Sequence, residues 1–312
     1  MRKTVLRVIK TISLILPFFN ATACEKTFLA LDDSLDIQEE EIVQILVEEV
    51  EYTTERLYNL SSFGVKSFSS ASQGMDIYND VVMFQAGYSG NSLFIHILDL
   101  EKHNALGTIQ FSCPNGENSH MNNINCGAKY RESDKFPLLY LSQTGNSRCC
   151  FVLRVADDAS SYELIQTIRY EGSKYHTNSS AYDWCIDQDN GFIYTYGYFK
   201  GSSINREIVK FPLPMFDKEE IVFNDKDVME NIVIENISIY QGSKIIDGIL
   251  YAPVGLGKGI YPGKLLTIDL NLKTVTREGA LNCGEPESLG CYKDGFIICG
   301  GGGDPYYYFL KP

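Results

Sequence analysis

An all-β fold built from a repeated four-stranded unit is what this sequence predicts, on three observations. Tyr and Phe are abundant, with 20 and 17 copies, while apolar residues at helical spacing are scarce; aromatic runs between polar turns favour strands. Five strand-like runs resemble one another: "VVMFQAG" from Val81, "PLLYLSQ" from Pro137, "GFIYTYG" from Gly191, "GILYAPV" from Gly248 and "GFIICGG" from Gly295, set 47 to 57 residues apart. Asp80, Asn190, Asp247 and Asp294 stand directly before four of them, as tight hairpin turns require.

Each run is followed by a second strand, "SLFIHILDL", "RCCFVLRVA", "NREIVKFPL", "GKLLTIDLN" or "YYYFLKP". The first four units continue into a third, "LGTIQF", "ELIQTIRY", "EEIVFN" or "TVTREGAL", and a candidate first strand such as "MDIY", "AYDWCI" or "ISIY" lies upstream. Four antiparallel strands repeated at this period are the signature of β-propeller blades. The expected fold is therefore a single β-propeller of five blades. The last unit lacks its outer strand, and an unpaired edge invites aggregation. Residues 55–68, "ERLYNLSSFGVKSF", carry suitable strand material and are expected to complete that last blade. The stretch "IQEEEIVQILVEEVEY" puts Ile42, Leu46 and Val50 on one helical face but also suits a strand. Residues 24–54 are read as a tether, and if they add a blade the count becomes six.

Arg2, Lys3, Arg7 and Lys10 precede the short apolar run "TISLILPFF", which falls below the roughly 20 residues that span a bilayer. Residues 1–23 are thus expected to be a signal peptide. Ala21, Thr22 and Ala23 before Cys24 resemble a lipobox, with Cys24 the lipidated residue; an ordinary secretory cut after Ala23 is the alternative. Removing residues 1–23 takes the net charge from -13 to -17. Such acidity excludes nucleic acid and charge-driven docking to anionic lipid. The membrane is expected to be met only through a lipid anchor, in the cell envelope at the outer membrane, with the protein monomeric.

Eight cysteines follow Cys24, in a compartment that permits disulfides. Their spacing suggests mostly buried thiols with at most one bridge, leaving open whether Cys113 and Cys283 are joined. No paired CxxC, HExxH, GxSxG or phosphate-binding loop occurs. No metal or cofactor is expected.

Candidate site residues lie where the first strand of each unit begins, because those ends converge on a propeller axis. They are Gln73, His120, Asn122, Asn178, Gln241, Glu285 and Glu287, a polar ring at one channel mouth. Such rings also arise simply to satisfy backbone groups around channel water. Glu285 and Glu287 share a strand face if extended, and paired carboxylates hydrolyse glycosidic bonds at the right separation. Tyr194, Tyr196, Tyr198, Phe199 and the Tyr306–Tyr308 run suit packing between blades or stacking on sugars.

The runs "NSHMNNINCGAKYRESDKFPLLYLSQ", "QGMDIY" and "CGEPESLG" resemble a group of secreted or lipoprotein β-propellers from Bacteroides-type gut bacteria, over residues 55–312. Members share a His-x-Asn entry, a Phe-Pro-Leu-Leu-Tyr strand and a Glu-Pro-Glu entry; where they tend to have Gly next, this chain has Ser288. The group has no established activity to transfer. The expectation is an envelope lipoprotein that binds a glycan or an envelope protein without catalysis. The alternative is a glycan-cleaving enzyme with Glu285, Glu287 or Asp76 as acid and base and His120 orienting the substrate.

Overall fold

A computed structural model describes residues 46–65, 73–89, 92–114, 121–143, 149–176, 182–199, 202, 204–237, 239–300 and 306–311. Two strands open this part of the chain, β1 (Glu48–Glu51) and β2 (Thr53–Asn59). A four-stranded meander follows: β3 (Met75–Tyr78), β4 (Val81–Ser89), β5 (Ser92–Asp99) and β6 (Asn104–Ser112). The second sheet runs β7 (Met121–Cys126), β8 (Leu138–Gln143), β9 (Cys149–Val155) and β10 (Tyr162–Tyr170). In the third, β11 (Tyr182–Asp187), β12 (Phe192–Tyr198) and β13 (Arg206–Pro212) are completed not by β14 (Glu220–Phe223) but by β15 (Glu230–Ile234). The fourth holds β16 (Lys244–Ile246), β17 (Ile249–Val254), β18 (Lys264–Asp269) and β19 (Thr274–Ala280). The fifth holds β20 (Pro286–Tyr292), β21 (Gly295–Gly300) and β22 (Tyr306–Lys311), and β2 pairs antiparallel with β22 as its outer strand. The completing strand thus starts at Thr53, and Leu60–Phe63 turns off it as a short 3-10 helix.

The turns that separate first and second strands follow from their residues. Asn79 and Asp80 have φ of 46° and 62°, and Asp247 and Gly248 have 51° and 76°. Two consecutive left-handed residues are what a two-residue hairpin needs, and Asn, Asp and Gly adopt that conformation most readily.

The first strands neighbour one another in cyclic order: β3 lies beside β7, β7 beside β11, β11 beside β16, and β20 beside β3. The chain is an all-β β-propeller, with no α-helix among the described residues. Apolar cores lie between successive sheets. Ile95, Phe111, Leu141 and Phe151 join the first and second, and Trp184 with Phe211 and Leu138 joins the second and third. Tyr196, Tyr240 and Leu250 join the third and fourth, and Leu265, Leu289 and Ile298 the fourth and fifth. Phe84, Met75 and Ile297 close the last gap, between the fifth sheet and the first. Tyr194 and Tyr196 belong to these cores, so packing rather than sugar contact accounts for them.

Two sequence expectations need correction. "EEIVFN" was expected as the outer strand of the third unit, yet β14 pairs parallel with β10 of the second sheet. Its connector is drawn there by the Gln166 amide, which donates to Met215 O and Lys218 O, and by the Arg169–Glu220 ion pair at 2.6 Å. "ISIY" is not the first strand of the fourth unit. Lys244–Ile246 is, while Ile237 and Tyr240 fill the core beside it. Residues 48–51 take the strand alternative, parallel to β19, and Tyr52 is seated over Gly279, where a Cβ would fall 2.3 Å from its ring. Both parallel additions cover an otherwise open edge. All eight cysteines after Cys24 are free thiols, Cys113 and Cys283 included. Cys149 and Cys150 point into different cores, as strand alternation dictates.

Candidate functional site

The axis, expected to be a channel, is packed by the first strands themselves. Gly74 approaches β7 so closely that a Cβ would lie 2.7 Å from Asn123 C and Ile124 N. On Gly242 it would sit 2.9 Å from Asn123 Oδ1, and on Gly290 2.8 Å from Ile77 N. Side chains then bridge strand to strand. The Asn123 amide donates to Ser243 O at 2.8 Å, and Asn125 takes Ile186 N at 3.0 Å and donates to Ser243 O. Ser288 Oγ donates to Met75 O at 2.9 Å and accepts from Met75 N at 3.0 Å. Asp76 is fully buried and accepts from Cys126 N, Ile77 N and Lys244 Nζ. Burial works against the charge on Lys244, but the Asp76 carboxylate outweighs it and raises the ammonium's proton affinity. This network ties all five sheets together and leaves Asp76 no free oxygen for acid–base work.

The entry end of the first strands is different in kind. Asn122 is almost fully buried at the start of β7, and Gln241 is buried just before β16. Gln241 Nε2 donates to Glu285 Oε1 at 3.2 Å, across the boundary between the fourth and fifth sheets. Gly242 N donates to Glu287 O at 2.8 Å, and a Cβ on Gly242 would lie 3.0 Å from Asn122 O. The structure therefore gathers Asn122, Gln241, Glu285 and Glu287. Gln73 is half-buried one residue before Gly74, at the same end of β3. His120 and Asn178 lie outside the described residues, as does Cys24.

Glu287 sits at a bulge in β20, where pairing with β21 slips between Pro286 and Ser288. Its side chain is 7% exposed, and Oε2 has no hydrogen-bond partner among the described residues. Burial, and next the nearby Glu285 carboxylate, push its pKa up to about 8. Asp183, at the start of β11, is the acid the sequence reading passed over. It is fully buried, and burial raises its pKa well above the carboxylate range; the Asn122 amide offsets this only in part. Its setting inside the apolar run "YDWCI" gave no sign of a site.

A second missed feature is the loop between β17 and β18. Gly257, at φ 64°, presses on the lead-in to β20, where a Cβ would lie 2.6 Å from Glu285 N. Leu256 N donates to Tyr261 O and Tyr261 N to Lys258 O, closing a small hairpin. That hairpin holds Ile260 84% exposed and Tyr261 38% exposed beside the Glu285 segment. The glycine spacing of "GLGKGIYPG" signals such a turn, but only the fold shows where it stands. Among the described residues no group of three or more His, Cys, Asp and Glu could hold a metal, and no helix is long and apolar enough to cross a membrane.

No family model matches the chain, and no curated protein does. Among solved structures it is similar to the tail fiber of Staphylococcus aureus phage P68, at 12% identity and a TM-score of 0.49, covering 83% of this chain and 52% of that one. It is also similar to the WD40 beta propeller domain of Doa1, at 11% identity and a TM-score of 0.39, covering 76% of this chain and 63% of that one. The chain thus spans about half the length of the first and under two thirds of the second.

Proposed function

We propose that the protein is a five-bladed propeller acting as a glycan-binding module of the cell envelope, carried by a lipid on Cys24. The five sheets are its blades, and the entry end of the first strands is its binding face. One observation carries this reading: the exposed Tyr261 hairpin stands against the segment that holds Glu285, Gln241 and Glu287. An aromatic face beside a few convergent polar groups is how a protein grips a sugar, whose own surface alternates C–H patches and hydroxyls. The envelope setting rests on the basic, apolar and small-residue order of residues 1–24.

The test is a glycan array probed with the protein in its soluble, leaderless form, repeated with Tyr261→Ala. Reproducible hits that weaken in the variant support the reading. A blank array, with an envelope protein recovered instead by cross-linking, would replace the glycan by a protein partner.

Hydrolysis is a second reading, favoured by one feature. Burial, and next the Glu285 carboxylate, push the pKa of Glu287 up to about 8, and a carboxyl kept protonated beside a second carboxyl is the pattern of glycosidases. Product release from a bound oligosaccharide, abolished by Glu287→Gln, would establish it.

A further inference from the structure

Resting on the glycan reading, we propose that the entry end selects uncharged, hydroxyl-rich saccharides, with the Glu287 carboxyl both donating to and accepting from a sugar hydroxyl. No Lys or Arg among the described residues pairs with Glu287 or Glu285, and Glu287 Oε2 has no donor. A carboxylate more than nine-tenths buried, with no cation and with one oxygen lacking a donor, is costlier than the neutral acid. The geometry therefore makes Glu287 a carboxylic acid at neutral pH, one O–H donor with one carbonyl acceptor. Its raised titration, near 8, agrees.

The titratable groups that face it bring no cation. Glu285 stands on the lead-in to its own strand. The Cys299 thiol of β21 is held neutral, by burial above all. Gln241 contributes from the fourth sheet an amide without charge, already donating to Glu285. The Asn122 side chain is engaged with Asp183 and brings no charge either. Paired donors and acceptors of this kind match vicinal hydroxyls. A uronate or sulfated sugar would meet the half-buried Glu285 with like charge, while an amino sugar's ammonium gains no ion pair from the neutral Glu287 and finds a Glu285 oxygen already bonded to Gln241.

The experiment titrates the full chain, in detergent micelles, with three sets of hexasaccharides. These are neutral (maltohexaose, cellohexaose, xylohexaose), anionic (hexagalacturonate) and cationic (hexaglucosamine). The neutral set is run at pH 6 and pH 10, on either side of about 8, and the charged sets are compared with it at pH 6, where the amino sugars still carry their protons. Binding of a neutral member only is expected, weakening by about tenfold or more at the higher pH as the donor is lost. Glu287→Gln, which keeps a donor and an acceptor but cannot ionise, is expected to bind equally at pH 6 and pH 10. Preference for hexaglucosamine, or a loss of affinity between pH 6 and pH 10 that persists in Glu287→Gln, would overturn the proposal while leaving a glycan-binding module intact. If no saccharide of any charge binds, the proposal and the glycan reading fall together. An infrared difference spectrum, wild type minus Glu287→Gln, separates the causes: without a protonated carboxyl band at neutral pH, the charge argument itself is wrong.

Discussion

Asp76 and Glu287 stand near the starts of neighbouring first strands, both acidic and both buried. Their surroundings divide them. Asp76 accepts two backbone amides and the Lys244 ammonium, so its charge is matched and its oxygens are occupied. Glu287 has no cation and an oxygen without a partner, so its environment favours the neutral acid. The contrast separates an acid that holds the propeller together from one that is left with hydrogen-bonding capacity to spend on a ligand. Residue type and position along the strand do not tell the two apart; the partners do.

The contrast is broken most severely at Asp76. Asp76→Ala leaves Lys244 buried without its counter-charge and frees Cys126 N. Losing one partner of a buried ion pair costs about 3–5 kcal/mol. Urea unfolding should show a loss of that size, and replacing Lys244 by Met in the same chain should recover part of it. A loss below about 1 kcal/mol would mean that the pair is solvated and the axis open.

Glu287→Gln should act in the opposite direction. The folded-state pKa is raised, to about 8, while the unfolded side chain ionises near the ordinary glutamate value of about 4.3. Between those two values the native state holds a proton that the unfolded state has lost, so stability falls as pH rises and levels off above about 8. Glutamine removes that slope. Relative to wild type, the variant should gain stability as pH rises, by up to about 5 kcal/mol at pH 9. Parallel stability–pH curves for the two proteins would show that Glu287 is ionised and paired after all.

Much of the fold was legible because strand alternation and turn chemistry are local. Asp80 and Asp247 mark hairpins whose left-handed geometry is visible in their own residue types. The missing outer strand of the last unit pointed to the N-terminal segment, and β2 pairs there. Partner choice was not local. β14 looks like a strand from its sequence, but nothing in "EEIVF" says that it will lie parallel to β10 in the preceding sheet. At the site, Glu285, Glu287, Gln241 and Asn122 were found from their place ahead of or within first strands. Asp183 was hidden because burial, not residue pattern, sets its protonation. Tyr261 was hidden among many tyrosines, several of which are core.

The axial packing offers a smaller test. A Cβ at Gly74 would meet the backbone of Asn123 and Ile124 at 2.7 Å, and backbone atoms cannot step aside as a side chain can. Gly74→Ala should therefore cost about 1–3 kcal/mol through overpacking, read as a lower urea midpoint at unchanged slope. Gly64→Ala is the control for cavity and contact effects, since nothing lies within 4 Å of its Cβ position; its positive φ of 76° charges it only for backbone strain. Equal losses at both sites would remove the case for a close-packed axis.

The smallest effect on stability, and the most informative for the entry end, belongs to Tyr261. Its ring is 38% exposed at the tip of a backbone-bonded hairpin and belongs to none of the apolar cores. Tyr261→Ala should shift stability by no more than about 0.5 kcal/mol, as exposed substitutions usually do. Affinity for a neutral oligosaccharide should nevertheless fall by about tenfold, since removal of one stacking face is worth on the order of 1 kcal/mol or more. The two readouts must separate for the site to stand where it is placed. If Tyr261→Ala unfolds the loop and stability drops with affinity, the hairpin is structural. If neither moves, any sugar bound by this protein is gripped elsewhere, and Glu287 is a buried acid without a ligand.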